Sequence, residues 1–207
     1  MSIENGDLEE RLRRAVEGLP EGLRAHILRV EHESMWLADR HEVDPARTSL
    51  AALGHDLVRH LKGQELLTLA SQYGLKPDEI ELVSPILTHG PIASQILTQD
   101  YGFDDADILA GIDCHTTARA GMTPVEQVLF VADKVEPHKL SREPALSGVR
   151  DAARESLDAA VLRYLDMNVE KALQKHWLLH PRTLEARNDL LHRIGAVKER
   201  ESSIKDY

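Results

Sequence analysis

Ala51-Ala52-Leu53-Gly54-His55-Asp56 is the stretch from which the rest of the chain is read. Pro45 suits the first turn of a helix, where its missing N–H costs nothing. From there Leu50, Leu53 and Leu57 recur at helical spacing and make a buried stripe. Ala51, Ala52 and Gly54 are small enough to let a neighbouring backbone approach. His55 and Asp56 point away from the leucine stripe. An imidazole nitrogen and a carboxylate oxygen side by side suit borderline divalent ions such as iron, manganese, cobalt or zinc. The pair alone is common by chance, so its weight comes from what stands around it.

Upstream, residues 7–18 predict a short amphipathic helix that ends at Leu19-Pro20. A longer helix is expected from Glu21 to His41. Leu23, Ile27, Val30 and Leu37 form one apolar face of it, and Leu28, His32, Met35 and Trp36 form a second. A helix apolar on two faces belongs in the middle of a fold. His32 then sits within the second face, as a hydrogen-bonded core histidine or as a ligand, while His26 and His41 read as surface or structural.

Downstream, helices are expected over 62–73 and from Pro77 to Pro85. A turn at Thr88-His89-Gly90-Pro91 leads into a helix to Tyr101, and another helix covers 105–115, ending in Cys114-His115-Thr116-Thr117. Thr123-Pro124-Val125-Glu126 has the form of a capping box with proline in the first turn. The helix it opens carries Asp133 between the directions of apolar side chains. A carboxylate buried there needs a cation, from a salt bridge or from a metal. Residues 144–150 read as a loop or short helix, 149–179 as one long helix, Thr183–Lys198 as a last helix and 199–207 as a frayed tail. With no convincing strand run, the fold class is all-α. It is read as a single domain, with a bundle core over 21–140 and C-terminal helices over 145–198 packed on it.

Composition narrows the function classes. The 207 residues are 42% hydrophobic, 29% charged and 4% aromatic, a mixture rich in helix formers. The apolar runs are too short to span a bilayer, and the N-terminus is acidic, unlike a secretory signal. Cys114 is the only cysteine, which excludes an internal disulfide and fits a reducing, cytoplasmic compartment. The net charge of −10 disfavours nucleic acid and anionic membranes as partners. Oligomeric state stays open between monomer and homodimer.

His32, His55, Asp56, His89, His115 and Asp133 make a set large enough for two divalent metals. Neutral imidazoles bind without cancelling the charge of the ion. Asp56, at the hub, is the natural bridge. Two ions about 3.5–4 Å apart activate a water and clamp phosphate oxygens, which is the chemistry of phosphate-ester or anhydride hydrolysis.

His32, His55-Asp56 and Asp133 resemble the H…HD…D signature of the HD-domain metal-dependent phosphohydrolases. His89-Gly90-Pro91, His115 to Met122, Val131 to Pro137 and Leu179 to Asn188 are similar to the YqeK branch of that family. The likeness spans roughly residues 26–192. It implies an all-helical cytosolic hydrolase with a dinuclear metal centre, commonly iron, that splits diadenosine tetraphosphate symmetrically into two ADP. By position it implies that His32, His55, Asp56 and Asp133 hold one metal, and that His89 and His115, with Asp56 as bridge, hold the second. Asp56, His89 and Arg59 would stand at the reacting centre, and Arg119, Thr116, Thr117 and Lys134 would contact the substrate. Two positions depart from the family pattern. Arg59 stands where lysine is usual, and Lys134 stands where tyrosine or a similar residue is usual. Arginine is a planar, permanently charged fork and no general acid near neutral pH. Other readings with the same ligands are a different HD phosphohydrolase, a di-iron oxygen-activating protein, and a helical module that metal merely staples together.

Overall fold

The computed structural model describes residues 5–196, and every regular element among them is helical. The helices are α1 (Asn5–Glu17), α2 (Glu21–Arg40), α3 (Pro45–Gly54), α4 (Gly63–Gln72), α5 (Glu79–Val83) and α6 (His89–Gln99), followed by α7 (Ala106–Cys114), α8 (Pro124–Val135), α9 (Pro137–Arg142), α10 (Ser147–Ala153), α11 (Leu157–Lys175) and α12 (Pro181–Arg193). The last helix ends at Arg193, capped by Ile194, short of the expected Lys198, and the expected tail lies outside the described residues.

The organising element is α8. Every residue from Val125 to Val135 is buried, and the helix packs against α2, α3, α7, α10 and α11. A helix surrounded in this way is apolar nearly all round, as Val125, Val128, Leu129, Phe130, Val131, Ala132 and Val135 are. Its start follows the expected pattern in part: Thr123 N–H donates to Glu126 Oε1 at 3.3 Å. The start of α3 is capped by Asp44, whose Oδ1 accepts from the N–H groups of Ala46 and Arg47.

The structure corrects several boundaries. His89-Gly90-Pro91 is the first turn of α6 and not a preceding turn, because proline in a first turn leaves no hydrogen bond unmade. The region read as one helix over 149–179 is two. The chain leaves α10 after Ala153 and restarts at Ser156, whose hydroxyl accepts from Ala159 N–H at 3.2 Å. The short α9, opened by Pro137, is an addition. In α2 only one of the two apolar faces is internal. Ile27, Val30, Leu37 and Ala38 are buried, whereas Leu28 and Met35 are 45% and 41% exposed.

Candidate metal centre

Four helix ends and one helix interior bring the polar side chains together. His55 and Asp56 follow α3, His89 opens α6, His115 follows α7, Asp133 sits in the last turn of α8, and His26 projects from α2. Close approach is permitted by glycine. A Cβ on Gly54 would lie 3.0 Å from Ile112 Cδ1 and 3.1 Å from Leu97 Cδ2. At Gly90 the restriction is harder, with Ile112 O at 2.6 Å and Asp113 O at 2.9 Å, both backbone atoms. Gly90→Ala is therefore expected to push α6 from α7, at a cost of about 1–3 kcal/mol. It should also move His89 off its partners, lowering both the melting temperature and the bound metal per chain.

Three imidazoles share one device. The Nδ1–H of His55 donates to Ala52 O at 2.7 Å and that of His115 donates to Ile112 O at 2.7 Å, while that of His89 donates to Ile86 O. Each bond reaches three residues back, to a carbonyl left over at the end of a helical turn. It fixes the tautomer and leaves an Nε2 lone pair facing inward. These lone pairs converge on Asp56. His89 Nε2 is 3.0 Å and His115 Nε2 3.4 Å from Asp56 Oδ1, and His55 Nε2 is 3.4 Å from Asp56 Oδ2. His26 Nε2 joins from α2, 3.4 Å from Asp56 Oδ2 and 3.1 Å from Asp133 Oδ1. Two ligand groups result, His26–His55–Asp56 and Asp56–His89–His115, each with its ligand atoms mutually within 4.8 Å. Asp56 gives one oxygen to each.

The electrostatics of the cluster are those of a cation site. Burial opposes the charge on Asp56, but His55, His115 and His26 outweigh it and hold the carboxyl well below its usual range. Burial likewise opposes the charge on Asp133, and Lys134 and Lys139, each 2.6 Å away, outweigh it. Burial pushes His115 down to about 4, so it stays neutral as a ligand must. His26 goes the other way, to about 9, because Asp133 and Asp56 overcome its burial, so its Nε2 has to release a proton before it can hold a cation. Its Nδ1 faces Glu136 Oε1 at 3.4 Å, and Arg29 holds that carboxylate. Among the described residues, His55 Nε2 and Asp56 Oδ1 are buried without a hydrogen-bond partner. His89 Nε2 and His115 Nε2 lie 3.0 Å apart although both Nδ1 atoms already carry the donated proton. Two lone pairs facing one another are reconciled by a cation between them. The donor set therefore fits divalent metal.

Residues 23–138 match the HD domain family. The chain belongs to the HD-domain family. This HD domain is 32% identical to the symmetrical bis(5'-nucleosyl)-tetraphosphatase of Staphylococcus aureus, over 88% of the chain and 93% of the relative. It is 30% identical to the enzyme of the same name from Halalkalibacterium halodurans, over 80% and 87%. Among solved structures it is similar to a predicted HD superfamily hydrolase involved in NAD metabolism from Clostridium acetobutylicum. That likeness has a TM-score of 0.82 and 27% identity, and covers 93% of this chain and all of the other. HD domains bind divalent metals, and the two His/Asp groups could hold them here.

The HD cluster contains His55, Asp56, His89, His115 and Asp133 but not His32, which is exposed. His26 stands in that place. The misassignment follows from the two-faced reading of α2, in which the supposed second apolar face is the solvent face. A usable signal was present. His26 falls three residues after Leu23 and four before Val30, on the stripe that is internal.

Of the proposed substrate contacts, Arg59, Thr116 and Lys134 line a cavity of about 490 Å³ that opens onto the metal groups, and His60, Lys139 and Arg142 line it too. Thr116 Oγ1 is a buried hydroxyl without a partner. Thr117 is turned away, its hydroxyl donating to Ala118 O at 3.0 Å. Arg119 is also outside the cavity. Its Nε donates to Glu126 Oε2 at 2.7 Å, and Glu126 is 0% exposed. The family resemblance placed Arg119 at the substrate, in the loop after His115, but Ala118 has φ 61 and the chain reverses there. Arg119→Ala is therefore expected to destabilise by about 1–3 kcal/mol, the cost of an unpaired buried carboxylate. In a chain of this size that is a drop of several degrees in melting temperature, with KM for substrate unchanged.

Proposed function

We propose that this HD domain is a metal-dependent hydrolase that cleaves diadenosine tetraphosphate at its central anhydride and releases two ADP. The observation that carries the reading is the shared carboxylate: Asp56 divides its two oxygens between two ligand groups a few ångströms apart. Two divalent cations, iron in the cell, would supply the positive charge that acidifies a water and neutralises phosphate oxygens. The relatives named for symmetrical bis(5'-nucleosyl)-tetraphosphatase activity support the substrate class.

In this reading the chain's own groups divide the work. Asp56 would serve both groups, with His26 and His55 holding one ion beside Asp133, and His89 and His115 holding the other. The backbone carbonyls of Ala52, Ile86 and Ile112 keep the imidazole Nε2 atoms aimed inward. Lys134 and Lys139 fix Asp133 from both sides, and Lys134 also donates to His115 O at 2.9 Å, tying the two groups together. Arg59, Lys139 and Arg142 put positive charge along the cavity, where an anionic polyphosphate needs it in a protein of net charge −10. Arginine at position 59 holds phosphate oxygens by paired N–H groups and transfers no proton. The lone Cys114 thiol, buried and pushed up by that burial, suits a cytosolic enzyme and is no ligand.

Metal-loaded protein is to be incubated with diadenosine tetraphosphate and the products separated by anion exchange. Two ADP per substrate is the expected result. ATP plus AMP, or preference for a monophosphate ester, overturns the assignment. Turnover without oxygen counts against an oxygen-activating centre.

A further inference from the structure

His180-Pro181-Arg182-Thr183 opens α12 and lies outside the metal cavity. Its polar side chains nevertheless reach the segments that deliver both imidazoles of the Asp56–His89–His115 group. Proline at the first helical position needs no hydrogen-bond partner, and His180 caps the next donor, its Nδ1 accepting from Arg182 N–H at 3.2 Å. That bond fixes the tautomer. The proton sits on Nε2, which donates to Asp78 Oδ2 at 3.0 Å. Asp78 Oδ1 accepts from the N–H groups of Ile80 and Glu81 and so starts α5. From α5 the chain runs through the turn Pro85–Thr88, which contains Ile86, the residue whose carbonyl orients His89.

On the other side, Arg182 Nη1 donates to Asp113 Oδ2 at 2.8 Å. The carbonyls of Ile112 and Asp113 are those packed against Gly90, next to His89. Thr183, 3% exposed, donates its hydroxyl to Thr117 O at 2.9 Å. This bond acts where the backbone is strained. Ala118 is left-handed at φ 61, a conformation that persists in a residue other than glycine only where its surroundings over-determine it. Within the loop, Ala118 N–H donates to Cys114 O at 2.7 Å and the Thr117 hydroxyl donates to Ala118 O. Thr183 adds a hold from outside the loop. Further along α12, Asp189 Oδ2 accepts from Gly121 N–H at 3.0 Å. His26 and His55, by contrast, stand on α2 and just after α3, which pack on each other and on α8.

We infer that the first turn of α12 is a brace for one metal group: Thr183 and Arg182 position His115, and His180 positions His89, without touching ion or substrate. The inference rests on the two-cation reading of the centre. In the test, the full chain is loaded with Mn²⁺ and challenged with rising chelator. Retained manganese is measured by elemental analysis, and the electron spin resonance spectrum separates a coupled pair from an isolated ion. Thr183→Val keeps the side chain's shape and leaves Thr117 O unpaired. It is expected to release one ion at about tenfold lower chelator, the low end for loss of a partner that orients a ligand. The other ion should stay as in the unaltered chain, with the spectrum passing from coupled pair to isolated ion. Thr183→Ser should restore the pair, and His180→Ala, acting from the α5 side, should weaken the same ion. Arg187→Ala cuts an ion pair between α12 and Asp166 and should leave both ions in place. Equal retention by Thr183→Val and the unaltered chain overturns the brace, as does equal weakening of both ions, or loss of the same ion from Arg187→Ala. If Thr183→Val does not melt cooperatively, the half-exposed Arg182→Ala is read in its place, and unchanged retention there overturns the brace. An unaltered chain that keeps a single ion overturns the two-cation reading and the brace together. Two ions held as expected, without tetraphosphate turnover, count against the hydrolase reading alone.

Discussion

Replacing Asp56 with alanine is expected to remove both metals from the protein and to lower tetraphosphate turnover by more than about a hundredfold. Loss of a group that merely orients a ligand already costs roughly 10–100-fold in metal affinity or activity, and Asp56 is a direct member of both groups. Without it, His26 and His55 remain on one side and His89 and His115 on the other, with no shared anion to offset the repulsion between two cations. His89→Ala should behave differently. It breaks the Asp56–His89–His115 group and leaves His26–His55–Asp56 intact, so metal per chain should fall toward half instead of to nothing. Elemental analysis of protein purified without added metal reads the difference directly. The fold is expected to survive in both variants, because the HD pair follows α3 and the core beneath it is Leu50, Leu53, Ile92, Leu97, Ile112 and Leu129, all buried without help from the site. Cooperative melting retained with activity lost marks a catalytic centre. Unfolding of both Asp56→Ala and His115→Ala would instead mark a metal that only staples the bundle.

The same separation between core and site explains what could be read from the chain. Helical periodicity depends on many side chains at once, so α2, α3, α7 and α8 emerge close to their expected limits. Proline and capping residues at Pro45, Thr123 and Pro124 fix starts locally, within a few residues of sequence. The break between α10 and α11 was hidden because Val149, Ala153, Leu157 and Val161 keep a helical rhythm across it. Only the hydroxyl of Ser156 marks the restart. The ligands at helix ends were legible because a turn or a terminus announces each of them. A residue such as Arg119 was not. Its place in the loop after His115 says nothing about direction once the chain reverses at Ala118, and its partner Glu126 had already been given a capping role. The cavity beside the metal groups was equally invisible, since it joins Arg59 to Lys139 and Arg142 across helices that sequence spacing cannot orient.

His26 and His32 give the sharpest test of the site, because they lie on one helix and differ only in direction. Six residues at about 100° each carry position 32 roughly 240° round the axis from position 26. His26 therefore faces Asp56 and Asp133 while His32 faces solvent. His26→Ala is expected to lower metal affinity and turnover by about tenfold to a hundredfold. It removes one nitrogen from the His26–His55–Asp56 group and leaves Glu136 and Arg29 paired with each other. His32→Ala should change stability by less than about 0.5 kcal/mol, as exposed substitutions usually do, with metal content and turnover at the level of the unaltered chain. The reverse outcome, an inert His26 and an essential His32, would require α2 to be rotated by about a third of a turn. That rotation would bury Leu28 and Met35 and expose Ile27 and Val30, so it would also appear as altered hydrogen exchange along the whole helix.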